Sequence, residues 1–320
     1  MIKFPRGKKI IIVTHHNADI DAVSSSTALL LGLTQKNIYG KIGVPNSVAK
    51  QARQVLWYSR CNIKINPDLS NYDTIFILDT GVPEQLLPMK IPQDKEIYII
   101  DHHENVKIKG KYEYISPRRK ATSELILKVL KDNNVKITQK IATLLLAGIV
   151  SDTNHFKFAD RVSFKLAAEL LGYKADLGLV YELAYNPPDL AERISKLKGY
   201  KNLEIYQYGN YLIAFSEIDN YEAAVARGLL SLGANISIVF TEKENELRVS
   251  ARADIRIIRK ENLNLGQDIF SKLKDIAGGN GGGHDAAGSL NTPNKNKKKE
   301  IKEFILKKLE EKFGKLEKIS

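Results

Sequence analysis

Five of the six histidines fall in three short segments, and each segment also carries aspartate. "THHNADIDA" supplies His15, His16, Asp19 and Asp21; "IIDHHEN" supplies Asp101, His102 and His103; "IVSDTNHF" supplies Asp152 and His155. The sixth, His284, stands in the glycine-rich "GGGHDAAG". Random placement would seldom cluster them so completely. Carboxylates and imidazoles without thiolate are the donors that suit Mn²⁺, Mg²⁺ or Zn²⁺. Without a cation such groups would repel one another or stay unsatisfied. Mn²⁺ accepts the mixed set readily, whereas Mg²⁺ prefers oxygen and water. With Asp79 added there are donors for two ions, His15, Asp19 and Asp79 for one and Asp21, Asp79, His102 and Asp152 for the other. Paired ions about 3.5–4 Å apart suit in-line displacement at phosphorus. Spacing alone leaves that division of ligands open.

The elements that must position these groups are legible as apolar runs. "IIIVT" ends at His15, "TIFIL" at Asp79 and "EIYII" at Asp101. In an open parallel sheet, functional groups gather beyond the carboxyl ends of the strands. Residues 1–185 alternate such runs ("KKIIIVT", "NIYGKIGV", "DTIFILD", "KEIYIID") with helix-period segments, the pattern of a parallel α/β sheet. Helices are expected over Ala22–Leu33, Ala49–Tyr58, Ser123–Lys131, "KIATLLLAGIVSD" and "RVSFKLAAELLGY", the last closed by Gly172. The Pro pair of "NPPDL" marks a boundary, and 186–202 reads as a linker with a connecting helix. Residues 203–320 read as a smaller α+β domain of two hairpins, a helix over Leu265–Ile276 and a basic terminal helix. That helix carries Ile301, Phe304, Ile305, Leu309, Phe313 and Leu316 on one stripe, so it should dock on its own domain with its lysines solvated.

Composition narrows the class. The single Cys61 excludes a disulfide framework and a cysteine-rich zinc site. "MIKFPRGKKIIIVTHH" reads as neither a signal peptide nor a membrane span, so the expectation is a cytoplasmic protein without membrane contact. Net charge is +12, which favours polyanionic partners. Ten Lys against five Glu from Pro293 to Ser320 place +5 of it in the tail.

These motifs resemble the DHH phosphoesterases, and the likeness runs along nearly the whole chain. The family's first motif is matched by His15, Asp19, Asp21, Ala22 and Ser25, the second by Asp79 of "ILDTG", the third by Asp101-His102-His103 and the fourth by Asp152. The glycine run with His284, Ala287 and Gly288, and "SARAD" with Arg252, resemble the DHH-associated C-terminal domain. Ala18, Ser24 and Asn154 depart from the usual Pro, Gly and Gly.

The resemblance implies metal ligands at His15, Asp19, Asp21, Asp79, His102 and Asp152, the set the residues themselves suggest. It further implies that His103 contacts the scissile phosphate and that Asp101 orients a histidine ring. Arg252, His284 and the N–H groups of Gly282 and Gly283 would hold the substrate's other phosphate, with substrate fit near His155 altered. The active site is then expected in a cleft between the domains. The expected function is a Mn²⁺-dependent phosphodiesterase, two ions with Mg²⁺ as a substitute, that cuts single-stranded or short RNA or DNA to mononucleotides. Small nucleotides such as 3′-phosphoadenosine 5′-phosphate or linear or cyclic dinucleotides are the alternative. A replisome-associated nuclease or scaffold is the third reading. A homodimer and a helicase or replication partner stay open, whereas "GGGHDAAGS" argues against a family II pyrophosphatase.

Overall fold

Ile10–Val13 consists wholly of β-branched residues, which fit a pleated, buried surface better than a helix. It becomes the central strand of the first of two compact units, Met1–Asn186 and Pro187–Ser320. The structure, a computed structural model, describes residues 2–5, 7–185, 187–201 and 203–319. Asn186 and Asn202, which bound the expected linker, lie outside the described residues.

In the first unit β1 (Ile10–Val13), β2 (Gly40–Val44), β3 (Ile63–Ile65), β4 (Thr74–Leu78), β5 (Glu96–Asp101) and β6 (Tyr112–Ile115) form one sheet. All neighbours are parallel, in the order β3-β2-β1-β4-β5-β6. The direction of winding reverses between β1 and β4, the position where open parallel sheets collect ligands. β3 and β6 were not legible as strands: one has three residues, and the other, "YEYI", is half exposed.

Strand side chains alternate, so Ile10, Ile12, Phe76 and Leu78 face one core while Ile11, Val13, Ile75 and Ile77 face another. Helices cover only the first of these faces. They are α1 (Ile20–Gln35), α2 (Arg53–Ser59), α3 (Thr122–Asp132), α4 (Gln139–Asp152), α5 (Arg161–Gly172) and α6 (Leu177–Ala184). The opposite face packs on Leu69, Tyr72, Leu86, Met89 and Ile108 from short connections, with Leu69 and Leu86 on single 3₁₀ turns. Right-handed crossovers send β4→β5 and β5→β6 to that side. Within the helical layer Ile141–Val150 of α4 is buried throughout, so this helix is the hub against which α1 and α3 pack. Helix α5 ends at Gly172 as expected, while the left-handed turn beyond it is made by Lys174, at φ 65°.

The second unit begins with the connecting helix α7 (Leu190–Lys201). It continues β7 (Leu203–Tyr208), β8 (Tyr211–Ile218), α8 (Glu222–Ser231), β9 (Ile236–Glu242), β10 (Leu247–Ala253) and α9 (Ile255–Glu261). A π-helical turn, Leu265–Phe270, then leads directly into α10 (Ser271–Ala277), where one continuous α-helix was expected. The unit ends with β11 (Asn280–His284), β12 (Ala287–Thr292), α11 (Lys298–Phe313) and β13 (Glu317–Lys318). Its mixed sheet runs β11-β12-β10-β9-β8-β7-β13 and is antiparallel except at β8–β9. Helix α11 buries Ile301, Ile305, Leu309 and Phe313 in this unit's own core. Among the described residues no helix is long and apolar enough to cross a membrane.

Candidate metal centre and anion-binding strand edge

The loop after β1 carries His15, and Asp19 closes it by capping α1, its Oδ1 accepting from Ala22 N at 3.0 Å. An aspartate suits this position because its carboxylate satisfies an orphan donor of the first turn. Asp21 follows in that turn, fully buried. Its two oxygens accept from Thr122 N at 2.6 Å and Ser123 N at 3.0 Å, the opening amides of α3. Asp79 leaves β4 with φ 56°, a left-handed conformation uncommon outside glycine, and accepts from Thr122 Oγ1 at 2.9 Å. His102 leaves β5, and Asp152 lies in the last turn of α4.

The side chains converge. His15 Nε2 is 3.9 Å from Asp19 Oδ1 and 3.8 Å from Asp79 Oδ2. His102 Nε2 is 3.4 Å from both Asp79 Oδ1 and Asp152 Oδ2. Three donor groups result: His15, Asp19 and Asp79; Asp21, His102 and Asp152; and Asp79, His102 and His103, each with its atoms within 4.8 Å. Asp79 belongs to two of them. His15 Nδ1 sits 2.8 Å from the His16 carbonyl, which fixes the N–H there and turns Nε2 toward the carboxylates. His16 points elsewhere, its Nδ1 3.3 Å from the Gln85 carbonyl.

Electrostatics show that the cluster needs positive charge. Burial, then the charges of Asp21, Asp79 and Asp19, pushes Asp152 up to about 11. Burial and Asp79 push Asp21 up to about 7, and the same two causes raise Asp19. Burial also pulls Asp79 upward, but His102, His15 and His103 outweigh it and hold this carboxyl below its usual range. Burial opposes charge on His102, yet Asp79, Asp21 and Asp101 hold its ring up to about 9. A divalent cation relieves this repulsion. Two donors each about 2.1 Å from one ion stand roughly 3–4.2 Å apart, the separation these pairs show and longer than a good hydrogen bond. The residues fit the metal centre the motifs imply.

Beside the cluster His103 is half exposed, its Nδ1 donating to Asp101 Oδ1 at 2.7 Å and its backbone N to the same oxygen at 3.0 Å. That hydrogen bond, partly opposed by burial, raises the ring's pKa. Asp101 Oδ2 is buried without a hydrogen-bond partner among the described residues. Asp101 therefore orients the His103 ring.

Sequence reasoning missed Thr122, Ser123 and Gly148. A Cβ at Gly148 would lie 2.2 Å from Ser123 Oγ and 2.4 Å from Asp21 Oδ1. Only glycine lets α4 pass this close to the hands that hold Asp21. A glycine inside an otherwise apolar helix was the available signal.

In the second unit the glycine run is the edge strand β11, paired only with β12. Gly282 faces open space, and Gly283, at φ 151°, stands where a Cβ would meet the Ala287 carbonyl at 2.0 Å. Gly266 of the π-helical turn approaches the Gly283 carbonyl so closely that its own Cβ would lie 2.4 Å away. Arg252 pairs with Ala287, and Ala287 with His284, so arginine and histidine share a rung about 10 Å apart with only a methyl between them. Arg252 Nη1 donates to the Ala251 carbonyl at 2.7 Å, and burial, then Arg227, lowers its pKa. Two like-charged guanidiniums that act on each other favour an anion. His155 lies in neither cluster; it is exposed, on the loop just after α4.

Comparison with known proteins agrees with this arrangement. Residues 9–149 match the model of the DHH family N-terminal domain, and residues 209–311 match the DHHA1 domain. An uncharacterized protein of Methanocaldococcus jannaschii is 33% identical over 95% of this chain and 94% of its own length. The bifunctional oligoribonuclease and PAP phosphatase NrnA of Thermus thermophilus is 28% identical over 76% of each chain. An exopolyphosphatase-related protein from Bacteroides fragilis shares the fold, with TM-score 0.61 at 19% identity over 96% of this chain and 93% of that one. With both domain models matched in order and a relative similar along almost its whole length, the chain belongs to the DHH family.

Proposed function

We propose that the protein is a divalent-cation-dependent phosphodiesterase that removes mononucleotides from the end of single-stranded or short oligonucleotides. The observation that carries this reading is Asp79, which belongs to two donor groups, one with His15 and Asp19 and one with His102 and His103, while His102 links it to a third group with Asp21 and Asp152. His15, Asp19 and Asp79 would hold one ion, and Asp21, Asp79, His102 and Asp152 a second. Mn²⁺ is the ion that best suits this mixed donor set, with Mg²⁺ as a substitute. Bound there, such ions supply a water of lowered pKa and offset the charge of the phosphoryl oxygens.

The chain's own residues do the rest. Asp101 keeps the proton of His103 on Nδ1 and aims the ring, so protonated His103 can donate from Nε2 to a phosphoryl oxygen. Thr122 and Ser123 fix Asp21 and Asp79 before any substrate arrives, which removes a reorganisation cost. Arg252, His284 and the Gly282 and Gly283 amides would hold a second phosphate of the substrate.

A nucleoside bearing phosphates at both ends satisfies the same requirement. The similarity to a bifunctional oligoribonuclease and PAP phosphatase supports 3′-phosphoadenosine 5′-phosphate as a second substrate. The test compares an end-labelled oligonucleotide, a dinucleotide and that bisphosphate in Mn²⁺, with Asp152→Ala as control. A ladder shortening from one end, absent in the variant, supports the exonuclease. Cleavage of small substrates alone moves the assignment to a small-nucleotide phosphoesterase, and equal traces for both proteins would reject catalysis.

A further inference from the structure

The segment that follows Asp152 is strained in a way no part of the metal cluster explains. Asn154, His155 and Phe156 hold φ of 48°, 56° and 65°, three successive non-glycine residues in the left-handed region. One such residue costs on the order of 1 kcal/mol, and a run persists only where the surroundings impose it. The anchors are visible. His155 N bonds back to the Val150 carbonyl at 2.8 Å, and Phe156 N to Thr153 Oγ1 at 3.1 Å. The Phe156 ring stacks on Phe164 of α5, with centroids 5.3 Å apart and planes at 24°, and packs against the first unit's core.

The consequence of turning Phe156 inward is that His155 turns outward. Its ring lies nearly parallel to that of Tyr181 on α6, with an interplanar angle of 11° and centroids 6.3 Å apart. Both are exposed, Tyr181 at 43%. Two aromatic faces are therefore held in register at the surface, three residues and at most about 10 Å of chain from Asp152.

We infer that His155 and Tyr181 form a stacking platform for the nucleobase of the nucleotide whose phosphate is cleaved. This rests on the phosphodiesterase reading above and deepens it: the enzyme would grip a base as well as two phosphates. Stacking offers affinity without sequence preference, because every base presents a π face. It would distinguish a nucleotide substrate from a simple phosphate ester or pyrophosphate, which the two charged sites cannot do.

The experiment measures KM in Mn²⁺ for a dinucleotide and for its two abasic counterparts, with wild type, His155→Ala, Tyr181→Ala and Tyr181→Phe. Isothermal titration of AMP and of ribose 5-phosphate accompanies it. Wild type should prefer one base-containing position over its abasic form, and Tyr181→Ala should cut that KM ratio about tenfold, with Tyr181→Phe restoring it. AMP should lose affinity by the same factor while ribose 5-phosphate does not. Ratios and AMP affinity unaltered by both alanine variants would overturn the platform. Should wild type cleave none of the substrates, the hydrolase reading falls, and the AMP titrations alone decide the platform.

Discussion

The two charged regions of this protein solve opposite problems. The first unit gathers four carboxylates, buries two of them, Asp21 and Asp79, and holds Asp79 in a left-handed backbone conformation. The second presents an arginine, a histidine and a glycine edge strand, with His284 exposed and Gly282 open. A cation site gains from burial because low dielectric and pre-aimed donors strengthen every contact with the ion. An anion clamp for a large substrate must stay open so that backbone N–H groups can meet it. The first is thus bought with folding stability, and the second with little more than an unprotected sheet edge.

This contrast can be broken most sharply at Asp79. Asp79→Asn should lower kcat by about a thousandfold or more, the several kcal/mol expected when the shared ligand of the cluster is lost. Steady-state assays in Mn²⁺ check it, and near-normal kcat would remove Asp79 from the centre.

Next comes Gly148→Ala, which touches no substrate but drives a methyl into Ser123 and Asp21. About a hundredfold loss of kcat is expected, together with destabilisation of about 1–3 kcal/mol. Thermal melting beside activity assays shows both, and an unaffected enzyme would mean that α4 shifts freely.

Arg252→Ala tests the other region. KM for substrates with two phosphates should rise about ten- to a hundredfold, as expected for losing hydrogen bonds to a charged group. Melting temperature should stay within about a degree. A drop like that of Gly148→Ala would mean that Arg252 is structural and the two regions are less different than they look.

The smallest effect concerns pH. Asp152, Asp21 and His102 are raised to about 11, 7 and 9 in the metal-free fold. The folded state then binds more protons than the unfolded chain above pH 4 for the aspartates and above 6.5 for the histidine. Stability from these groups is fully present at lower pH and declines as pH rises through their folded values. Asp79, whose pKa is lowered, acts oppositely but only in acid, near and below pH 4. Metal-free protein should therefore melt a few degrees lower at pH 9 than at pH 6. Asp152→Asn should flatten that slope, and adding Mn²⁺ should reverse it with release of protons, measurable by titration in two buffers.

Much of this was readable beforehand because it is local. Strand runs ending at His15, Asp79 and Asp101 follow from consecutive residues, and so does the amphipathic stripe of α11. What escaped was set by contacts far along the chain. β3 and β6 are strands only because neighbours offer them a ladder. Ser123 looks ordinary in sequence and Gly148 shows only as a glycine inside an apolar helix, yet Asp21, more than a hundred residues earlier, depends on both. Tyr181 gave no sign at all, since its meaning lies in the angle of its ring to His155.

The sequence by itself determined which donors exist, that His15, Asp79 and His102 follow the ends of buried strands, and that a glycine-histidine element follows in a second unit. Residue types and periods of 2 and 3.6 carry that much. Only the tertiary structure decided that Asp79 serves two donor groups, that helices cover a single face of the first sheet, and that Arg252 and His284 share a rung. Those depend on strand order, register and crossover, which are fixed by non-local pairing and close packing and leave no period in the chain.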